Sequence, residues 1–357
     1  MTRFLKLTLL CLACFFIISA SCAYSQENSK FWLFKTRIQQ GVEYDNNIFE
    51  AKDEAENDGL YKIIFDSQAK FSRRHWLGQF QYHGGYQHYF NTPSENKLTN
   101  HLQASILYAT WKNKISFGCR SRMRFKYFFS RDWEYSLTDI EPFIAVNIFQ
   151  TRFSFFYNNE KLNYFQYDQF NYIAHTINFA VTKRLIGNFQ VQLKGGQQTR
   201  NYKRFALEYK PFLDSPLYSD YLHKDASDFG GIQFSYQKHL LCSLEYIYQE
   251  NSSNSYGFSF QQHRLTLSTA LPLKTGMLLR IFSGLQQKNY TESLNRIILT
   301  ELDTERENSN FLIVDFSKNI TPSLGLIIRS SWYNNESPIP ERYYQKSLTS
   351  ISFEYQF

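Results

Sequence analysis

The sequence predicts an all-β fold, a transmembrane antiparallel up-and-down β-barrel of about 16 strands. Segments of roughly ten residues alternate between apolar and polar side chains along most of the chain. A period of two is typical of strands that have one apolar and one polar face. Connections between these segments alternate between long and short, as they do in outer-membrane barrels.

The composition favours a lipid-facing barrel over a helical membrane protein. The chain holds 26 Tyr and 34 Phe beside only 15 Gly and 8 Pro, and its mean hydropathy is −0.45. After the amino-terminal segment, no apolar run approaches the roughly 18 residues of a membrane-spanning helix. A barrel is aromatic-rich yet hydrophilic on average, because half of its wall is polar.

The amino terminus has the pattern of a secretory signal peptide. It consists of basic residues, an apolar stretch and a small-x-small cleavage site: Arg3, Lys6, residues 7–18 and Ala23-Tyr24-Ser25. We therefore expect residues 1–25 to be removed and residues 26–357 to form one barrel domain. Cys22 leaves lipid attachment as an alternative, although Ser19 stands where such a site usually has leucine.

Charge and cysteine content exclude two further classes of protein. The formal net charge of +7 falls slightly once the two basic residues of the signal are removed, and this mild excess does not indicate nucleic acid as a partner. Cys119 and Cys242 are the cysteines that remain after residue 25. They are far apart in sequence, so no disulfide framework is expected.

The strands are expected where apolar side chains recur at every second position. In chain order, the clearest sets are Thr36, Ile38, Val42 and Tyr44; Tyr61, Ile63 and Phe65; Phe80, Tyr82 and Tyr86; Phe189, Val191 and Leu193; and Leu324, Leu326 and Ile328. The longer connections are expected at residues 46–58, 91–97, 130–135, 162–170, 203–225, 252–257, 291–305 and 336–342. Shorter turns lie between them, so the strand number is even and both chain ends lie on the periplasmic side.

The chain ends on an alternating strand whose apolar set is Ile351, Phe353, Tyr355 and Phe357. We interpret this set as the lipid-facing side of the strand that closes the barrel. It also resembles the carboxyl-terminal signal read by barrel-assembly machinery, which is an aromatic terminus preceded by apolar residues at alternate positions. That machinery is therefore an expected partner, together with outer-membrane lipid.

Two Asn-rich hairpin segments resemble a known group of proteins. Gly41-Val-Glu-Tyr-Asp-Asn-Asn-Ile-Phe49 is similar to the opening hairpin of uncharacterised outer-membrane barrels of the β-barrel porin 2 type. Tyr248-Gln-Glu-Asn-Ser-Ser-Asn-Ser-Tyr256, with a weaker copy at Tyr333-Asn-Asn-Glu-Ser337, is a hairpin of the kind common in such barrels. The resemblance implies the outer membrane of a Gram-negative bacterium. Some members are associated with exopolysaccharide or capsule clusters, which by analogy adds a surface polymer as a further partner.

The most pronounced charge feature is a basic ladder at alternate positions: Arg120, Arg122, Arg124 and Lys126. Four cations facing lipid would be strongly unfavourable, so we expect them to line the lumen. They could attract anions into a water-filled pore, or they could form a salt-bridged wall. In the second case Asp139 and Glu141 of the next strand supply the counter-charges, with Asp139 expected near Lys126 and Glu141 near Arg124.

Basic residues also exceed acidic ones at the other positions expected to face the lumen. The basic set includes Arg37, Lys62, Lys194, Arg280 and Arg329. Because the selectivity of a pore follows the charge that it presents, the sequence predicts a weak preference for anions.

The segment 203–225 is the longest expected connection and is rich in aromatic residues. Long loops are usually functional or disordered, and the aromatic content argues against disorder. We expect this segment either to fold into the lumen as a constriction or plug, or to dock with a partner.

No residues indicate a metal, a cofactor or catalysis. His101, His175 and His263 lie on strands that are far apart around the barrel, so they cannot converge on one metal. We expect them at aromatic positions of the membrane interface instead. Neither Gly-x-Ser-x-Gly nor His-Glu-x-x-His occurs. An enzyme is therefore not expected, although acidic residues at the rim with His223 leave a remote alternative.

The function expected from these observations is an outer-membrane pore for small polar solutes, with a weak anion preference. A non-conducting component of a surface-polymer export or assembly system is the alternative. An outer-membrane barrel enzyme is the third and least favoured possibility.

Overall fold

The structure is a computed structural model that describes residues 31–110, 114–130, 133–210, 216–292, 310–335 and 344–357. Within these ranges the chain forms sixteen antiparallel strands that close into one barrel, so the predicted fold class is confirmed. The predicted signal peptide, most of the expected connection 291–305 and all of 336–342 lie outside the described residues.

The strands follow one another around the barrel in chain order. They are β1 Trp32–Asp45, β2 Asp58–Arg73, β3 Trp76–Tyr89, β4 Lys97–Thr110, β5 Ile115–Phe128, β6 Tyr135–Ile148, β7 Thr151–Tyr164, β8 Tyr172–Arg184, β9 Phe189–Glu208, β10 Leu217–Gln237, β11 Leu241–Ser253, β12 Phe260–Pro272, β13 Met277–Tyr290, β14 Asn310–Asn319, β15 Leu324–Asn335 and β16 Tyr344–Gln356. No helix among the described residues is long and apolar enough to cross a membrane.

The barrel closes where β1 pairs with β16. Ile38 stands opposite Tyr355 and Val42 opposite Ile351, so the last strand returns to the first. The two strands approach so closely at Gly41 that an added Cβ would lie 2.3 Å from the carbonyl oxygen of Ile351. Glycine is therefore required at this point of the seam.

The connections follow the expected alternation, with one exception. Most of the segment 203–225 is not a loop, because β9 continues to Glu208 and β10 begins at Leu217. The two strands pair along this extension with register shifts between Tyr218 and Lys224. For the described part of this segment, the prediction of a constriction or plug is wrong. Phe205, Tyr218 and Tyr221 belong to a two-stranded hairpin that extends the barrel wall, and residues 211–215 lie outside the described residues.

The outer surface is apolar, as a lipid-facing wall requires. Outward side chains such as Phe179 and Leu193 are 53% and 52% exposed. The apolar set of the closing strand, which ends at Phe357, is exposed on the same surface. Side chains at the alternate positions point inwards and are mostly polar or charged, and these inward positions form the lumen wall.

The charged lumen as the candidate functional site

Strand β5 presents the basic ladder to the interior of the barrel. The neighbouring odd-numbered position Phe117 is exposed on the outer surface, so the even-numbered positions, which carry the ladder, face inwards. Two side chains of the ladder, those of Arg120 and Lys126, make cation–π contacts with phenylalanine rings. The Arg120 guanidinium carbon lies 5.6 Å from the ring centre of Phe143, and Lys126 Nζ lies 4.8 Å from that of Phe128.

The two lower steps of the ladder form ion pairs with β6. Arg120 Nη1 lies 3.0 Å from Glu141 Oε1, and Arg122 Nε donates to Asp139 Oδ1 at 2.9 Å. Asp139 and Glu141 therefore are the counter-charges of the ladder, but their predicted partners, Lys126 and Arg124, were wrong.

The error in partners has a simple geometric cause. Lys126 stands opposite Tyr135 and not opposite Asp139, so the β5–β6 register differs by four residues from the expected one. Leu137, not an acid, stands opposite Arg124 on β6. The acids of β6 are thus concentrated beside the lower half of the ladder.

Beside the ladder, residues of β1 to β4 and Gln356 of β16 line a cavity of ≈ 410 Å³. Its polar lining is mostly amide, imidazole and basic: Lys35, Arg37, Gln68, Gln81, His83, His101 and Gln103, together with Asp66. His83 Nδ1 lies 2.6 Å from Asp66 Oδ1. The side chains of His83 and Arg37 are 55% and 45% exposed, so the described part of this wall is open to solvent.

The remaining predicted lumen residues all occupy inward positions, and each contacts an acid. Arg37 Nη1 lies 3.5 Å from Glu354 Oε2. Lys62 Nζ lies 2.5 Å from Glu43 Oε2, and Lys194 Nζ lies 2.6 Å from Glu245 Oε1. These pairs link neighbouring or next-neighbouring strands, so they stabilise the wall as well as charging it.

Asp315 joins two of the predicted basic residues. Arg329 donates to it through two nitrogens at 2.5 and 2.9 Å, in the bidentate geometry that arginine forms with carboxylates. Arg280 Nη2 lies 3.2 Å from the same carboxylate. One acid thus serves two guanidinium groups, which leaves this part of the lumen wall positive.

The three histidines considered as metal ligands have different surroundings. His175 and His263 lie on the outer surface, where each Nδ1 is 2.8 Å from a tyrosine hydroxyl. His101 faces the lumen opposite Arg124, so its predicted interfacial position was wrong. The described residues contain no group of three or more potential ligands that could hold a metal ion.

One buried cluster near the extracellular end was missed. Arg204 Nε donates to His223 Nδ1 at 2.9 Å, and His223 Nε2 contacts Asp225 Oδ1 at 2.8 Å and Ser253 Oγ at 3.0 Å. The i, i+2 spacing of His223 and Asp225 puts both on one strand face, but the segment was predicted as a loop.

This cluster does not have the geometry of a Ser-His-Asp triad. In a triad the serine and the acid contact different imidazole nitrogens, whereas here Ser253 and Asp225 share Nε2. Arg204 lies 4.3 Å from the ring centre of Tyr202, and His223 is fully buried. The cluster therefore holds the extended hairpin against β11.

No family model and no curated protein matches the chain, so the resemblance to the β-barrel porin 2 type stays a prediction. Among solved structures, OprB of Pseudomonas putida is similar, with a TM-score of 0.54 and 10% identity over 92% of this chain and 94% of that one. OpdK of Pseudomonas aeruginosa has a TM-score of 0.47 and 8% identity over 91% and 99% of the two chains.

The protein is a β-barrel of the Gram-negative outer membrane. The sixteen strands form a closed barrel with an apolar outer surface. These are the features of a barrel that spans the outer membrane. At 10% identity, the likeness to OprB shows the fold alone, so the function is argued from the lumen.

Proposed function

We propose that the barrel is a pore for small polar solutes with a weak preference for anions. The observation that carries the proposal is the inward-facing charged wall, in which side chains such as His83 and Arg37 keep about half of their surface accessible. Ordinary buried cores exclude such groups. A water-filled passage accounts for a polar, partly exposed interior surrounded by an apolar exterior.

The anion preference is supported by the distribution of basic residues. The four basic residues of the β5 ladder stand beside two acids of β6, and Asp315 is shared by two arginines. A pore that presents more positive than negative charge concentrates anions and repels cations, and the effect weakens as salt screens the wall.

Planar-bilayer recordings of the refolded barrel test this proposal. Arg122→Glu combined with Arg124→Glu should shift the reversal potential in a salt gradient towards cations by several-fold in permeability ratio. The matched control is Lys183→Glu combined with Lys318→Glu, which changes the charge equally on exposed outward positions and should leave the ratio unchanged. Absence of conductance steps in the wild-type barrel would refute the pore.

A role in surface-polymer assembly receives no support from the described residues. It was based on the resemblance to the β-barrel porin 2 type, which stays a prediction, and on an aromatic loop at 203–225, most of which forms paired strand.

We further propose that residues 1–25 direct export and that the closing strand is read by barrel-assembly machinery. The outward exposure of Ile351, Phe353, Tyr355 and Phe357 supports the second part. Sequencing the amino terminus of barrel purified from outer membranes tests the first part, and Gln26 is the expected first residue.

A further inference from the structure

The outer surface carries a localised group of lysines at its extracellular end. Among the described outward positions in that half of the barrel, the lysines are Lys161 of β7, Lys203 of β9 and Lys224 of β10, and no arginine joins them. All three are exposed. The described outward positions at the same height on the other strands are apolar, aromatic, uncharged polar or acidic.

Strand pairing brings these three lysines to one patch. Lys161 stands opposite Ile173, Ile173 opposite Asn201, and Asn201 opposite Lys224. Lys203 lies two residues beyond Asn201 on the same face of β9. Adjacent strands are about 4.8 Å apart, so the distance from Lys161 on β7 to Lys224 on β10 is about 15 Å. The three long side chains can therefore reach a single headgroup that lies between them.

The patch lies just above the apolar band. Below it, Phe155 and Phe179 are exposed to the lipid, and Tyr157 with His175 forms a hydrogen-bonded aromatic pair of the kind found at membrane interfaces. Lys161 is four residues further along β7 than Tyr157. At the usual rise and tilt of barrel strands, this places its Cα about 10 Å higher, at the level of lipid headgroups.

We propose that Lys161, Lys203 and Lys224, with the Asn201 amide between them, bind the phosphate groups of an outer-leaflet glycolipid. Ammonium groups form charge-assisted hydrogen bonds with phosphate, and the amide can bond to sugar hydroxyls. We call these four residues the glycolipid patch. The inference is independent of whether the lumen conducts.

Acidic residues limit the patch on one side. Asp228 of β10 and Glu250 of β11 stand directly opposite each other on the outer surface, and Asp228 is four residues beyond Lys224 towards the short-turn end of β10. Two carboxylates at this position repel phosphate, so the bound phosphate groups lie on the extracellular side of this pair. The distribution of basic and acidic residues therefore determines both where the phosphate groups bind and where the binding site ends.

Native mass spectrometry of barrel purified from outer membranes and stripped of lipid tests the proposal, with diphosphorylated lipid A as the probe. Replacing Lys161, Lys203 and Lys224 by glutamine should weaken lipid A binding by about 10- to 100-fold. The matched control replaces Lys183, Lys238 and Lys318, which are exposed lysines at the short-turn end of the barrel, and should change binding by less than about twofold.

Dephosphorylated lipid A and inorganic phosphate distinguish the ligand sources. The wild-type barrel should prefer diphosphorylated over dephosphorylated lipid A, and millimolar inorganic phosphate should not displace the lipid. Equal binding of both lipids, equal losses in the two triple variants, or an unchanged affinity in the patch variant would overturn the proposal. Displacement by free phosphate as effective as that by lipid A would overturn the assignment to a lipid.

Discussion

Replacing Lys346 by methionine should destabilise the barrel at its closing seam. Lys346 Nζ lies 2.8 Å from Asp45 Oδ2 and 3.7 Å from Glu50 Oε1, and the Lys346 and Asp45 side chains are 1% and 2% exposed. Beside this pair, the backbone of Asn46 donates to the Ser347 carbonyl at 3.2 Å. The buried ion pair thus lies where the first and last strands meet.

The expected loss in free energy of unfolding follows from the Asp45 carboxylate, which stays buried when Lys346 is replaced. Removing one partner of a buried ion pair typically costs about 3–5 kcal/mol, because the other charge stays buried without compensation. Asp45 keeps a hydrogen bond from the Asn47 backbone at 3.0 Å, which compensates part of its charge. We therefore expect Lys346→Met to lower the free energy of unfolding by about 3 kcal/mol, the lower end of that range.

Urea-dependent folding into lipid vesicles measures the effect, with the midpoint and slope compared between variants. Asp45→Asn should also destabilise, and the double variant should lose less than the sum of the single losses, because the buried carboxylate is removed together with its ammonium partner. Lys183→Met, at an exposed outward lysine, should change stability by less than about 0.5 kcal/mol. Strict additivity in the double variant, or two single variants as stable as wild type, would refute the reasoning.

Three further predictions concern the lumen, the extended hairpin and the terminus. Asp139→Asn with Glu141→Gln removes the counter-charges of the lower ladder and should raise the anion-over-cation permeability ratio; an unchanged reversal potential would place the ladder outside the conducting path. Replacing residues 207–219 by a tight turn should leave both refolding and conductance intact, because the lower β9–β10 pairing remains; loss of conductance would contradict the assignment of this segment to the wall. Deleting Phe357 should reduce the assembled barrel in cells but not refolding in vitro, and normal assembly in cells would argue against a terminal signal.

Strand number and side-chain facing could be predicted because both depend on local pattern. A period of two assigns each residue to a face without knowledge of any partner strand. For this reason the sequence predicts that Arg280 and Arg329 share the inward face, although nothing in the sequence showed that Asp315 joins them. The alternating connection lengths supplied the number of crossings.

Register and long-range pairing could not be predicted in the same way. The partners of Asp139 and Glu141 depend on where the β5–β6 pairing ends, which the sequence of the connection did not reveal. In the segment 203–225, register shifts between Tyr218 and Lys224 interrupt the regular alternation. Asp45 and Lys346 lie near opposite ends of the sequence of the barrel domain, so no local pattern could indicate that they are in contact.

Register also decides which steps of the ladder form ion pairs with β6. Arg120 and Arg122 face acids directly, so much of their field is cancelled within the wall. Arg124 and Lys126 stand beside Leu137 and Tyr135 on β6, nearer to the extracellular end of β5. The lower half of the ladder therefore holds β5 against β6. We infer that the proposed anion preference depends on the sum of the charges that the whole lumen wall presents, and not on one half of the ladder.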